Sequence, residues 1–177
     1  MVKTSLIIVG AIPVIFAIVF AVTLITHQDI PITAVVQDDK ITIEYIKHQL
    51  NLASFGVSES TGSQYTEILI IKNDGEIIYS VVEDGYQKPD KKSTINKDKL
   101  KKLTALVKET GFMEIPNESF PVREGINHYQ KSTLKVTLNG QIQQIHWVEQ
   151  NATDKFIPPI ISMIELELDQ IINQLIE

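Results

Sequence analysis

Few residues in this chain stand at spacings that chemistry uses. Ser132-Thr133-Leu134-Lys135 matches the Ser-x-x-Lys pattern of a serine nucleophile and its lysine base. That pairing needs a helix, where positions i and i+3 share a face. Here Leu134, Val136 and Leu138 alternate with Thr133, Lys135 and Thr137, and on such a strand the serine and the lysine point to opposite sides. The four histidines, His27, His48, His128 and His146, show neither an i,i+4 pair nor Cys, Asp or Glu at metal-ligand spacing. His146 is expected on the surface, facing away from Trp147. Asp38-Asp39 and Glu83-Asp84 are paired acids in expected loops, where adjacency along the chain does not aim two carboxylates at one substrate. No nucleophile elbow, P-loop, dinucleotide fingerprint or calcium loop occurs, and "SESTGS" lacks the strand-to-helix setting of a phosphate cradle. The expectation is a chain that is not an enzyme and holds no metal or cofactor.

Charge narrows the partners. A net charge of -6 argues against a general nucleic-acid binder. Half of the basic residues cluster in "QKPDKKSTINKDKLKK" and at Lys108, interleaved with Asp90, Asp98 and Glu109, which reads as a solvated loop and helix face. Asn117-Glu118-Ser119 and Asn151-Ala152-Thr153 are glycosylation sequons in expected loops, so Asn117 and Asn151 are candidate modification sites. With no cysteine, the fold must stand on its core alone.

The N-terminus supplies the clearest functional signal. Thr4 to Thr26 contains no charged residue in 23 positions, and as a helix it spans roughly 34 Å, enough to cross a hydrocarbon core. The run exceeds the length of a signal-peptide apolar core, and no small-x-small cleavage site follows it. Residues 1–26 are therefore expected to be a single transmembrane anchor and 27–40 a juxtamembrane linker. Lys3 precedes the span, whereas Asp29, Asp38 and Asp39 follow it. That bias leaves the N-terminus in the cytoplasm and residues 27–177 outside, with 41–177 as an extracytoplasmic domain.

Within 41–177 the pattern is written twice. "IIKNDGEIIYS" (70–80) and "KVTLNGQIQQIHW" (135–147) each read strand, turn, strand, with Gly75 and Gly140 supplying the turns. Each is followed by an amphipathic helix. The first, about 97–110, is capped by Asn96 and Gly111 and carries a stripe of Leu100, Leu103, Leu106 and Val107. The second starts at Pro158-Pro159 and carries Ile161, Ile164, Leu168, Ile171, Ile172 and Leu175. At an offset of 65, set by Gly75 and Gly140, Leu103, Leu106 and Val107 fall on Leu168, Ile171 and Ile172. "ITIEYI" (41–46) reads as a further strand, with a helix through Ile43, Ile46 and Leu50 the close alternative, and 53–64 and 83–94 read as loops. The expected fold is α+β: a four- to five-stranded antiparallel sheet, its two hairpins side by side, with both helices on one face. The first hairpin is apolar on both faces, and the 41–57 segment is expected to cover the second.

The run from about Ile41 to Leu175 resembles an uncharacterised family of exported or membrane-anchored α+β domains. The matching pieces are Ser54-Phe55-Gly56, Asp74-Gly75-Glu76-Ile77-Ile78-Tyr79, Gly111-Phe112, Asn139-Gly140 and Pro159 with its stripe. Members often carry cysteines in the first loop, and this chain has none. The outline is also similar to that of small proteinaceous metalloprotease inhibitors, in which surface loops contact the enzyme. That likeness implies "SFGVSESTG", with Phe55, Gly56, Ser58 and Ser60, as a contact loop. The expected function is a protein-binding or envelope-interaction module whose partners are the membrane and another protein. The alternatives are a protease inhibitor and a hydrolase with an unrecognised site.

Overall fold

A computed structural model describes residues 35, 38–55, 58–116 and 119–176, with backbone alone for 52–55 and 58–61. They fall within one compact unit, Ile32–Glu177. The expected membrane span, Gly56 and Asn117 lie outside the described residues. Among the described residues, no helix is long and apolar enough to cross a membrane.

The chain folds as strands β1 (Ile41–Phe55), β2 (Ser58–Ile71), β3 (Glu76–Glu83), β4 (Tyr86–Gln87) and β5 (Lys91–Thr94), helix α1 (Lys97–Glu109), strands β6 (His128–Leu138) and β7 (Gln141–Val148), and helix α2 (Pro159–Ile176). The sheet is antiparallel, in the order β4-β3-β2-β1-β6-β7, with β5 also paired to β3. The α+β class and the two helices are as expected. Both predicted hairpins form, with Ile71 opposite Ile77 and Leu134 opposite Ile145.

Three expectations are corrected. The hairpins are not side by side: β1 lies between them, pairing with β2 on one side and β6 on the other. Residues 53–55 and 58–64 are strand rather than loop, because β1 and β2 stay paired to Phe55 opposite Ser58. The "loop" at 83–94 supplies the two short edge strands β4 and β5, so the sheet has seven strands rather than four or five.

Period-two alternation puts Ile43, Tyr45, Leu69, Ile71, Ile77, Tyr79, Leu134, Val136, Ile145 and Trp147 on one buried face. From α1, Leu103, Leu106 and Val107 are buried, and from α2, Ile161, Ile164, Leu168, Ile171 and Ile172. Asn96 caps α1 by accepting from the Lys99 amide at 2.7 Å. Gly111 ends the helix in the left-handed region at φ 69°.

The repeated turns have a shared task. Asn73 Oδ1 accepts from the Ile41 amide at 3.2 Å, and Asn139 Oδ1 from the Lys40 amide at 2.9 Å. The Asn139 amide returns a bond to the Lys40 carbonyl at 2.9 Å. Asp39, bound by Lys108 of α1 at 2.8 Å and by the Asn139 amide group at 2.7 Å, completes the clamp. Both hairpin turns therefore grip the start of β1. Gly75, at φ 88°, is tightly held, since a Cβ there would lie 2.9 Å from the Ile95 carbonyl oxygen. Gly140, at φ 85°, has open space around it. Gly75→Ala should lower stability by about 2–3 kcal/mol and Gly140→Ala by about 1 kcal/mol, read as the difference between their denaturant midpoints.

Because β1 is part of the sheet, it cannot cover the sheet's second face. Ile46, Ile68, Ile70 and Ile78 remain there, each half-buried, beside the Glu44–Lys135 ion pair at 2.8 Å. That overturns the expected self-coverage by 41–57.

Candidate functional site

The buried face turns polar at one end. Lys47 continues the inward series of Ile41, Ile43 and Tyr45, and the register sets Glu67 and Ser132 on either side of it, with Trp147 next to Ser132. Helix α2 supplies Glu165 and Asp169, four residues apart on the flank of its apolar stripe. Glu165 accepts from the Tyr45 hydroxyl at 2.9 Å, the Ser132 hydroxyl at 3.3 Å and Trp147 Nε1 at 3.4 Å. Lys47 pairs with Asp169 at 2.9 Å and Glu67 at 3.5 Å, and the Tyr79 hydroxyl donates to Glu67. The Tyr45 and Trp147 rings stack at 6.3 Å.

The electrostatics follow from that geometry. Burial, then the charges of Glu165 and Asp169, push the Tyr45 phenol far above its usual range, so it stays a donor. Burial and the hydrogen bond to Glu67 do the same for Tyr79. Burial pulls the Lys47 ammonium down, but Asp169 and Glu67 more than offset it and it ends raised. Among the described residues, no buried side-chain polar atom lacks a partner. The network pins the middle of α2 to the sheet.

Beside it, between the end of β7 and the first turns of α2, lies a groove of about 630 Å³, inside the range of about 300–1,000 Å³ typical of ligand sites. Its walls include Trp147, Phe156, Met163 and Leu166, and its polar groups include Glu149 and Glu165. Phe156, Met163 and Leu166 are 74%, 47% and 60% exposed, so they are walls rather than core. Gln130, a cross-strand partner of Gln49, also lines it. The groove thus sits at the end of the sheet where β1 and β2 outrun their neighbours. Among the described residues, β1 beyond Asn51 opposite His128 pairs with β2 alone, and β2 beyond Tyr65 opposite Glu83 pairs with β1 alone, apart from the Asp84 amide on the Gln64 carbonyl at 2.8 Å. Residues 52–55 and 58–61 continue as a two-stranded ribbon.

Phe55, Ser58 and Ser60 fall at the ribbon tip. Asn151 is exposed in a short 3-10 turn, Gln150–Ala152, where its carbonyl accepts from Arg123 at 2.9 Å. Ser132 is buried on the inner face, whereas Lys135 pairs with Glu44 on the outer one, so the two are separated by the sheet as the strand reading requires. His146 is exposed on the face opposite Trp147, within 2.9 Å of the Thr133 hydroxyl. Among the described residues, no group of three or more His, Cys, Asp or Glu is arranged to hold a metal ion. No family model and no curated protein matches the chain. Sequence reasoning passed over Lys47, Glu165 and Asp169. The signal available was a charge in phase with an apolar stripe.

Two outer-face histidines carry a pH dependence. Burial and then Lys131 hold both His48 and His146 below the ordinary imidazole value. Protonation is then harder in the folded chain than in the unfolded one. Stability is full above the unfolded value of about 6.5 and declines as pH falls through it toward the lower folded values. Chemical denaturation between about pH 7 and pH 5 should show that decline, flattened in the double variant His48→Gln, His146→Gln.

Proposed function

We propose that this chain is a membrane-tethered binding protein whose outer domain engages another protein or envelope component through its ribbon end. The single observation behind the reading is the ribbon of residues 52–55 and 58–61. A lone two-stranded ribbon is marginal in water and adds little to the stability of a sheet it has left behind, so its use is as a surface. Position supports this. The chain enters β1 at the Asn73–Asn139 clamp, and the 15 residues of β1 then run roughly 50 Å to the tip at about 3.3 Å per residue.

The test places a photo-crosslinking side chain at position 55 or 58, or at position 74 near the clamp, in the full chain in its own membranes. Positions 55 and 58 should yield the same adduct, and position 74 none. Equal labelling from all three positions, or no adduct from any, counts against the reading.

The ribbon also keeps the inhibitor reading alive, because a paired projecting strand is a shape that fits a protease cleft. Full chain in detergent, added at micromolar concentration to secreted metalloproteases, should lower their turnover if that reading holds. Unchanged turnover retires it.

A further inference from the structure

The groove between β7 and α2 has walls that exclude some occupants. Phe156, Met163 and Leu166 stand exposed around Trp147, an apolar lining that a monomer's own folding does not require. The charged groups among its described lining residues are Glu149 and Glu165, with no Lys, Arg or His beside them. Lys47, the nearby cation of the network, is committed to Asp169 and Glu67. Glu165 already accepts from Tyr45, Ser132 and Trp147. Glu149 has one oxygen on the Gln130 amide at 3.1 Å. An anionic or acidic occupant therefore meets like charge in a partly apolar setting, which disfavours it. An apolar occupant carrying a cation meets both features: stems and rings pack on Phe156, Met163 and Leu166, and the cation lies toward Glu149 with Trp147 near it.

We infer that this groove docks a short protein segment that presents a Lys or Arg between apolar side chains. This goes beyond the ribbon reading and does not rest on it, because the ribbon contributes no described lining residue. The two contacts would nevertheless lie at the same end of the sheet, where one partner can reach both.

The sole tryptophan of the chain, Trp147, lines the groove and reports on it. Full chain in detergent is titrated with tryptophan-free nine-residue peptides of Leu and Phe around a central Lys or Arg, and with matched peptides carrying norleucine or Glu at the centre. The basic peptides should shift Trp147 emission and bind at least about tenfold tighter than the Glu peptide, with the advantage shrinking as salt rises. Phe156→Ser with Leu166→Ser, both at exposed positions, should weaken binding by about tenfold or more. Glu149→Gln should weaken the basic peptides by about three- to tenfold and leave the norleucine peptide unchanged. Equal binding of basic, neutral and acidic peptides, insensitivity to the double serine variant, or no binding of any peptide overturns the proposal. Each readout is independent of the position-55 crosslink, so either reading can fail alone.

Discussion

Trp147→Ala should destabilise the domain by about 3–5 kcal/mol, the range for truncating a buried large aromatic side chain. That is a large share of the 5–15 kcal/mol typical of a whole domain. Three losses act together. The indole is 2% exposed, so its removal leaves a cavity on the sheet's inner face. Its stacking on Tyr45 goes, and so does the donor that Nε1 gives to Glu165. Trp147→Phe separates these, restoring most of the packing while leaving the carboxylate one donor short, and should cost about 1–2 kcal/mol. Circular dichroism during guanidinium unfolding reads both variants. A midpoint for Trp147→Ala equal to that of the parent chain would mean that the indole is not the floor of the α2 contact.

The second large effect is Leu168→Ala, expected to cost about 2–5 kcal/mol. Leu168 is wholly buried at the middle of α2, where the helix meets the sheet. Its counterpart at the repeat offset, Leu103 of α1, is 2% exposed and faces the same layer, so Leu103→Ala should fall in the same range. With Trp147 retained, its fluorescence follows the unfolding of both variants directly. A loss under about 0.5 kcal/mol for Leu168→Ala, the size expected of a surface change, would place α2 off the sheet.

Much of this architecture was legible because it is local. The turns at Gly75 and Gly140, the Asn96 cap and the two helical stripes each depend on residues a few positions apart, where backbone geometry and periodicity act. Strand order is different. The alternation of Ile41, Ile43 and Tyr45 marks an inward face but says nothing of which strands flank it, and the insertion of β1 between the hairpins follows from long-range pairing. The ribbon was missed for a related reason. Serine and glycine at 53–64 read as loop by composition, yet antiparallel pairing resumes after a register shift between Gln49 and Leu50 and carries the strands on to Phe55 opposite Ser58. The polar network was hidden by type: Lys47, Glu67, Glu165 and Asp169 look like surface charges one by one. Only the register of β1, β2 and β6 beneath α2 brings them together.

The placement of β1 fixes the clamp at its start, the network at its middle and the ribbon at its end, and a cysteine-free chain allows a direct test. Thr42 of β1 and Thr137 of β6 are cross-strand partners, so their Cα atoms lie about 4.5–5.5 Å apart, within disulfide reach. Ile70 and Lys135 both flank Glu44 from opposite sides, about two strand spacings or roughly 9.6 Å apart, which is beyond it. In the full chain under mild oxidation, Thr42→Cys with Thr137→Cys should crosslink and Ile70→Cys with Lys135→Cys should not. Crosslinking of the second pair and not the first would put the two hairpins in direct contact and remove β1 from between them.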